Sequence, residues 1–530
     1  MNTGMKTSAT MNKKRFSEII SLVWLIICFA AACYYVARYN TLFIDADMSS
    51  ELVLAKLLSE EGGILSKSWY YSTELRILNT QLIFAPLFAV IDDWSLVRAI
   101  GTAICLFIYI LCYFFFARSI HLGRSHMLFS AGILMLPLSS SYTYSVLTGA
   151  FYIPHICLAF ILFGLILRYA ECDGSKRVAL LIFASLISFI AGLGGIRQLY
   201  VFSAPLTLAA AIVYMQKKKA DDERAGKRLL SASIITLIVS GVACLINRGL
   251  HNIYSFCNYG ETGGRMPVGF TSFSGDGIDF CIDGLMELMG YHTGPAFSGF
   301  LVYNILFGII FVGLLISMIY ALKHDAPYTQ KAMVWFIFAG VGMQCVLYCF
   351  TSIDRVARYF IPVVIFAVPF AALFFEKSKL DRRLRVLGVT GLAALMAVCS
   401  AYTYKTACES SAYSANQEYI QLVDYIKQEG YEQGYASFWN GNILTELSDG
   451  EIEMWVVSSD MITDKLGLKY VYNWLQVKAH DNTTPQEPFF LIMKDFEARA
   501  CGMEMTPSFC TDTLILYHFD SIEDFQALYN

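Results

Sequence analysis

Apolar runs about as long as a bilayer is thick recur along this 530-residue chain, and they leave it few folds. A helix rises 1.5 Å per residue, so about 20 apolar residues cross a hydrocarbon core of about 30 Å. Residues 17–37 are the first such run. Others stand at 97–117, 127–139, 151–168, 178–195, 199–215, 229–246, 300–321, 332–350, 359–375 and 388–403, eleven in all. The run at 127–139 is short enough to be re-entrant, and 82–91 is too short to cross. Only 15% of residues are charged and 56% are hydrophobic, where a soluble domain carries about 25% charge. The chain therefore reads as an α-helical polytopic membrane protein with about 11 transmembrane helices. The Ala30-Ala31-Ala32-Cys33 stretch hints at signal-peptide cleavage. The run around it is too long for a signal h-region and more spans follow, so a retained helix is expected.

Lysine and arginine set the orientation. With the N-terminus cytoplasmic, the positive clusters Arg118/Arg124, Arg168/Lys176/Arg177, Lys217–Lys219 with Arg224/Lys227/Arg228, Lys323/Lys331 and Lys377–Arg385 all fall on one side. The other side receives a first loop at 38–96, a long loop at 247–299 and everything after about residue 404. Residues 1–403 thus form the transmembrane domain. Residues 404–530 regain charge and alternate helical and strand-like pieces, so a small extracytoplasmic α/β domain is expected there. Its predicted helices are Ala415–Gln428 and Asn442–Leu447. Its predicted strands are Tyr435–Trp439, Ile452–Val457, Phe489–Met493 and Leu514–Phe519.

The first loop holds the chemistry-bearing residues. Asp45, Asp47 and Glu51 place three carboxylates within seven residues, directly after the first span. One lone acid at a span exit is usually just solvated. Three acids in a loop rich in Trp and Tyr, Tyr71 among them, suit a general base on an acceptor hydroxyl or the positioning of a divalent metal. Ser50–Glu60 has leucines at helical spacing and reads as an amphipathic helix lying on a membrane surface. Arg76 follows Glu74 and precedes Asn79 and Gln81. It either pairs with Glu74 or neutralises a lipid-linked phosphate, whose oxygens match an arginine fork.

Further candidates lie on the same side. Arg197 stands between two closely spaced spans after Gly192–Gly195, where a charge faces an interior cavity or the interface. Arg355 and Arg358 break the positive-inside trend; they bind an anionic head group, hold the first-loop acids, or pair with Asp354. His155 reads as a core histidine. Arg248, His251, Arg265, Asp276, Asp279 and His292 decorate the long loop. Cys257 with Cys281, and Cys501 with Cys510, are placed where oxidation could pair them. No basic patch points to nucleic acid, and no CxxC pair points to structural zinc. No phosphate-cradling loop with Lys and Ser/Thr, no HExxH and no nucleophile elbow occurs, so energy coupling by bound nucleotide is not expected.

Taken with the spans, Asp45/Asp47, the Ser50–Glu60 helix and Arg358-Tyr359-Phe360-Ile361-Pro362 resemble the integral-membrane glycosyltransferases of the GT-C fold, such as protein O-mannosyltransferases and aminoarabinose transferases. The resemblance covers about residues 17–403. It implies a polyprenyl-phosphate sugar donor in the bilayer and an acceptor of unknown kind outside the cytoplasm. It implies inverting transfer with Asp47 or Asp45 as the base. Arg76, Arg355 and Arg358 would sit on the donor phosphate, with Glu51, Tyr71, Glu74, Asn79 and Arg197 in support. The usual adjacent Asp-Glu pair is here Asp-Ala-Asp with Glu51 four residues on, which leaves either aspartate as the acid. The competing readings are a polytopic transporter or lipid flippase, and a non-catalytic assembly or sensor protein. The first predicts charged, broken helices in two related halves, a pattern this sequence lacks.

Overall fold

In the computed structural model, residues 2–72, 75–216, 220–256, 269–291, 300–324, 326–377, 411–458 and 462–529 are described, together with residues 383, 391, 400 and 401. Among them, seven helices are long and apolar enough to cross a membrane. They are Lys14–Phe43, Trp94–Ser119, Ile153–Glu171, Ser175–Leu193, Glu223–Leu250, Tyr328–Phe350 and Ala357–Lys377. Leu199–Met215 and Phe307–Lys323 are shorter apolar helices matching two further expected runs. The short run at 127–139 is an 11-residue helix, Arg124–Leu134, which at 1.5 Å per residue covers roughly half a hydrocarbon core. The expected span at 388–403 lies almost wholly outside the described residues.

The chain forms two compact units, and each gathers segments far apart in sequence. The first comprises Met1–Tyr34, Cys105–Ile246 and Val268–Lys405. Its centre is aromatic: the Phe366 ring lies 4.9 Å from Phe116, 5.1 Å from Phe160, 5.2 Å from Phe163 and 5.0 Å from Phe336. Lipid is as apolar as these rings, so contact geometry rather than water exclusion holds the helices here. Two turns in this unit, Thr143–Thr148 and Leu199–Ser203, widen to the π form.

The second unit comprises Tyr35–Ile104, Asn247–Pro267 and Thr406–Asn530. Its larger sheet has the order β4-β3-β6-β8-β7, with β3 at Gln433–Ser437, β4 at Glu453–Ser458, β6 at Phe489–Lys494, β7 at Phe509–Cys510 and β8 at Leu514–Phe519. Strand β3 runs parallel to β4 and β6, and β8 runs antiparallel to β6 and β7. The central strand β6 is buried on both faces, which is why Phe489–Met493 is an unbroken apolar run. The expected α/β fold of this region is present, with helices Ser411–Glu429 and Phe438–Leu447 beside the strands. A smaller sheet of order β2-β1-β5 joins β1 (Trp69–Tyr71) to β2 (Ser255–Phe256) and β5 (Gln476–Val477).

The first-loop helix, Ala46–Glu61, sits inside this unit. Gly62 ends it at φ +70, a conformation that favours glycine, with its N–H on the Leu58 carbonyl. The helix does not lie free on a surface as its leucines suggested. Leu52, Leu54 and Leu58 pack with Trp69, Leu75 and Phe84, while Ala46 packs with Phe438, Val456 and Tyr472. Protein covers two of its sides and already buries Leu52, Leu54 and Leu58. Asn442 Nδ2 donates to Ser50 Oγ at 2.7 Å, and Asn416 Nδ2 donates to the Ile44 carbonyl at 2.9 Å.

One buried ion pair completes the attachment. Arg98 Nε donates to Glu446 Oε1 at 2.5 Å and Arg98 Nη2 to Glu446 Oε2 at 2.7 Å. The same Nη2 donates to the Met48 carbonyl at 2.9 Å. Both side chains are under 5% exposed. Elsewhere in the unit, the buried Glu418 carboxylate accepts from Thr511 Oγ1, Thr513 N and Thr513 Oγ1 at 2.6, 2.9 and 2.7 Å. Burial alone would raise its pKa, but these three donors outweigh it and hold the group below the ordinary glutamate value.

Two outcomes follow for stability. Glu446→Ala leaves a buried, uncompensated Arg98 and costs about 3–5 kcal/mol, whereas the double replacement Arg98→Met/Glu446→Met costs less than either single change. Thermal melting of the detergent-solubilised protein checks the order. Because Glu418 has a depressed folded pKa, its contribution is present above the unfolded glutamate value and is lost as pH falls through the folded one. The Tm gap between wild type and Glu418→Gln is therefore open at neutral pH and closes on acidification.

Candidate functional site

The three first-loop acids lie on or at the start of one helix, yet each has a different environment. Asp45 is the N-cap: its backbone is extended and its Oδ1 accepts from Met48 N at 2.9 Å. The cap satisfies one of the helix's orphan N–H groups, so this carboxylate has a structural task. Glu51 is bridged. Its Oε2 accepts from Asn79 Nδ2 at 2.7 Å and Thr80 Oγ1 at 3.1 Å, and its Oε1 faces Arg76 Nη1 at 3.4 Å. Asp47, half-buried in the first turn, forms no hydrogen bond or ion pair with any described residue. Asp47 and Glu51 are four residues apart and so share one face of the helix.

Arg76 takes Glu51 as its partner, and both side chains are largely buried at 21% and 17% exposed. Glu74, the neighbour expected to compete for it, lies outside the described residues. Gln81 Nε2 donates to the Arg76 carbonyl at 2.9 Å and ties down the backbone there. Asn79 and Thr80 end at Glu51 because the turn after Arg76 leads into helix Gln81–Phe88, packed with the first-loop helix. The result is one polar cluster of Glu51, Arg76, Asn79 and Thr80, with Asp47 one helical turn before Glu51. Tyr71 stands apart from it. Its buried hydroxyl accepts from Ser66 N at 2.9 Å, and burial pushes its pKa up to about 12. It is a neutral packing residue in β1.

The remaining predicted residues belong to the first unit. Arg197 and Arg358 line one small pocket, together with His155, Gln198 and Tyr359. The Arg197 guanidinium lies 5.6 Å from the Tyr152 ring centre and 5.7 Å from that of Tyr359, a cation held between two aromatic faces. Arg355 is directed elsewhere, with Nη2 donating to Ser274 Oγ at 2.8 Å. Cys281, Cys501 and Cys510 are free thiols, and Cys257 lies outside the described residues.

Arg98 and Glu446 had not been singled out, although they position the helix that bears Asp47. The available signal was Arg98 itself, a charge two residues into an apolar run, where it needs a partner. Among the described residues no three His, Cys, Asp or Glu side chains come together as a metal site.

No protein-family model matches the chain, and no curated protein sequence matches it. Solved structures do. ArnT from Cupriavidus metallidurans in the apo state aligns at TM-score 0.58 and 11% identity, covering 93% of this chain and 97% of that one. The same enzyme bound to undecaprenyl phosphate aligns at 0.54 and 12%, with the same coverage. The Archaeoglobus fulgidus oligosaccharyltransferase in complex with Zn and sulfate aligns at 0.48 and 12%, covering 89% of this chain and 68% of that one. At these identities the likeness is one of fold, and the fold is GT-C: a multi-pass helical membrane protein with a small C-terminal sheet domain.

The capping geometry separates the two aspartates experimentally. Asn caps a helix about as well as Asp, whereas Ala forfeits roughly 0.5–2 kcal/mol. Asp45→Ala should lower the melting temperature and Asp45→Asn should not. Asp47→Asn should leave it unchanged, since its carboxylate bonds to no described residue.

Proposed function

We propose that the chain is a membrane glycosyltransferase that moves a sugar from a polyprenyl-phosphate donor to an extracytoplasmic acceptor hydroxyl, with inversion. The observation that carries the reading is Asp47. It is a half-buried carboxylate on a helix fixed from several sides, with no structural partner among the described residues, in a chain of the GT-C fold. Asp45 and Glu51 are occupied, so Asp47 is the acid left for proton transfer. That ArnT of this fold was crystallised with undecaprenyl phosphate supports a lipid-phosphate donor.

The steps use this chain's own groups. Asp47 accepts the proton of the acceptor hydroxyl as its oxygen bonds to the anomeric carbon. The bond from that carbon to the phosphate oxygen breaks, and the polyprenyl phosphate departs with the electron pair. Attack opposite the leaving group inverts the centre. Charge grows on the phosphate as it leaves, and an arginine stabilises it through forked donors. Arg76 is assigned this task, with Glu51, Asn79 and Thr80 setting its position. Within the first unit, Arg358 and Arg197 line one pocket and are assigned separately to anion recognition. The regular placement of positive loops supports a cytoplasmic N-terminus and an outer-side C-terminal domain.

The decisive comparison is transfer in membranes supplied with a panel of polyprenyl-phosphate sugars. Asp47→Asn should lose about 10²–10⁴-fold in rate while remaining inserted and folded, and Asp45→Asn should keep most activity. Wild-type transfer by Asp47→Asn removes the proposed base. A reporter fused after Asn530 that works only in the cytoplasm removes the orientation.

A further inference from the structure

The larger sheet of the second unit carries a cavity of about 360 Å³. Small-molecule sites run from roughly 300 to 1,000 Å³. Its floor is aromatic. Tyr435 and Phe525 stack with ring centres 4.5 Å apart and planes 1° from parallel, and Tyr529 meets Phe525 edge-on at 5.8 Å. At the mouth, Tyr470 is 54% exposed although it is a large ring. An exposed aromatic beside a built cavity is a ready stacking platform.

The polar lining is mostly neutral. Asn473, Thr483, Thr484 and Gln526 face the same cavity, and each offers both donor and acceptor atoms. The Asn473 amide oxygen is buried and accepts no hydrogen bond. A buried acceptor left unmet costs about 1–3 kcal/mol, so this atom calls for a donor that the fold does not supply. The lining has one full positive and one full negative charge, Lys469 and Asp481. Lys469 Nζ lies 5.7 Å from the Tyr470 ring centre, and Asp481 accepts from the Tyr70 hydroxyl.

We propose that this cavity binds a neutral saccharide. Sugar hydroxyls are donors and acceptors at once and match amide and hydroxyl side chains. A sugar's C–H face lies flat on an aromatic ring such as Tyr470. An anion fits poorly, because among the described lining residues Lys469 is the one lysine or arginine, Asp481 stands with it, and His480 is paired with Glu453. The cavity stands on its own geometry; that its saccharide is the acceptor of the transfer rests on the transferase reading.

The test uses full-length protein in lipid nanodiscs and saturation-transfer NMR. The probes are glucose, galactose, mannose, rhamnose, N-acetylglucosamine and their disaccharides, with inorganic phosphate as the anion, followed by ³¹P line broadening. At least one saccharide should receive saturation. Tyr470→Ala and Asn473→Ala should each weaken it about tenfold, and Asp47→Asn should bind as wild type does. Tyr470 is exposed, so its variant should fold normally, and an unchanged melting temperature verifies this. No saccharide signal across the panel overturns the proposal. Phosphate binding in place of sugar, or wild-type binding by both cavity variants, also overturns it. Sugar binding retained in a protein that transfers nothing leaves this site standing and removes the transferase. Transfer retained without sugar binding does the reverse.

Discussion

The pairing of Arg98 with Glu446 is the interaction on which the first-loop helix depends. Two charges taken out of water are costly, and the cost is met only if every donor and acceptor finds a mate. Here the guanidinium satisfies the carboxylate with two parallel bonds and turns Nη2 to the Met48 carbonyl as well. That third bond makes the pair a positioning device. It holds the residue next to Asp47 against a helix that lies 348 residues beyond Arg98 in the sequence. A lysine could not do this, because an ammonium lacks the planar fork that serves both acceptors at once.

With the helix fixed, the chemistry of its acids follows from their surroundings rather than from residue type. One carboxylate closes the helix start, one is bonded by an amide, a hydroxyl and an arginine, and one is left over. Side-chain hydrogen bonds restrain the first two. Asp47 has no such restraint among the described residues, while the helix that carries it is tied to Arg98 and Asn442. Arg76 is held by an acid already engaged with Asn79 and Thr80, so its guanidinium is located before any ligand arrives.

Periodicity made much of this fold legible. Within the described residues the apolar runs appear as helices at nearly the expected positions, and Leu514–Phe519 is a strand from end to end as read. Local pattern suffices there because a strand or a span is decided by its own residues. The first-loop helix was also legible as a helix, but its surroundings were not. Leucines at helical spacing show that a face is apolar and do not say whether lipid or protein covers it. Arg76 shows the same limit. Proximity in sequence pointed to Glu74, whereas the fold supplies Glu51, and Arg98 needed a partner that no local reading could find. The two aspartates could not be told apart until cap geometry assigned Asp45 its bond.

The small sheet built from β2, β1 and β5 bears on how the protein is made. Its strands pair Tyr70 with Ser255 and with Gln476, so the segment behind the acidic helix waits for partners that emerge much later. Contacts of such long sequence separation form slowly, and chains are synthesised from the N-terminus. The apolar runs before residue 404 are therefore made while the first loop still lacks Glu446, Gln476 and Asn442. A nascent or truncated chain thus leaves β1 without β5 and Ala46 without Phe438, Val456 and Tyr472. The first loop, on this account, gains its full set of contacts only after Gln476 has been made, and loss of that region alters the loop without touching a residue in it.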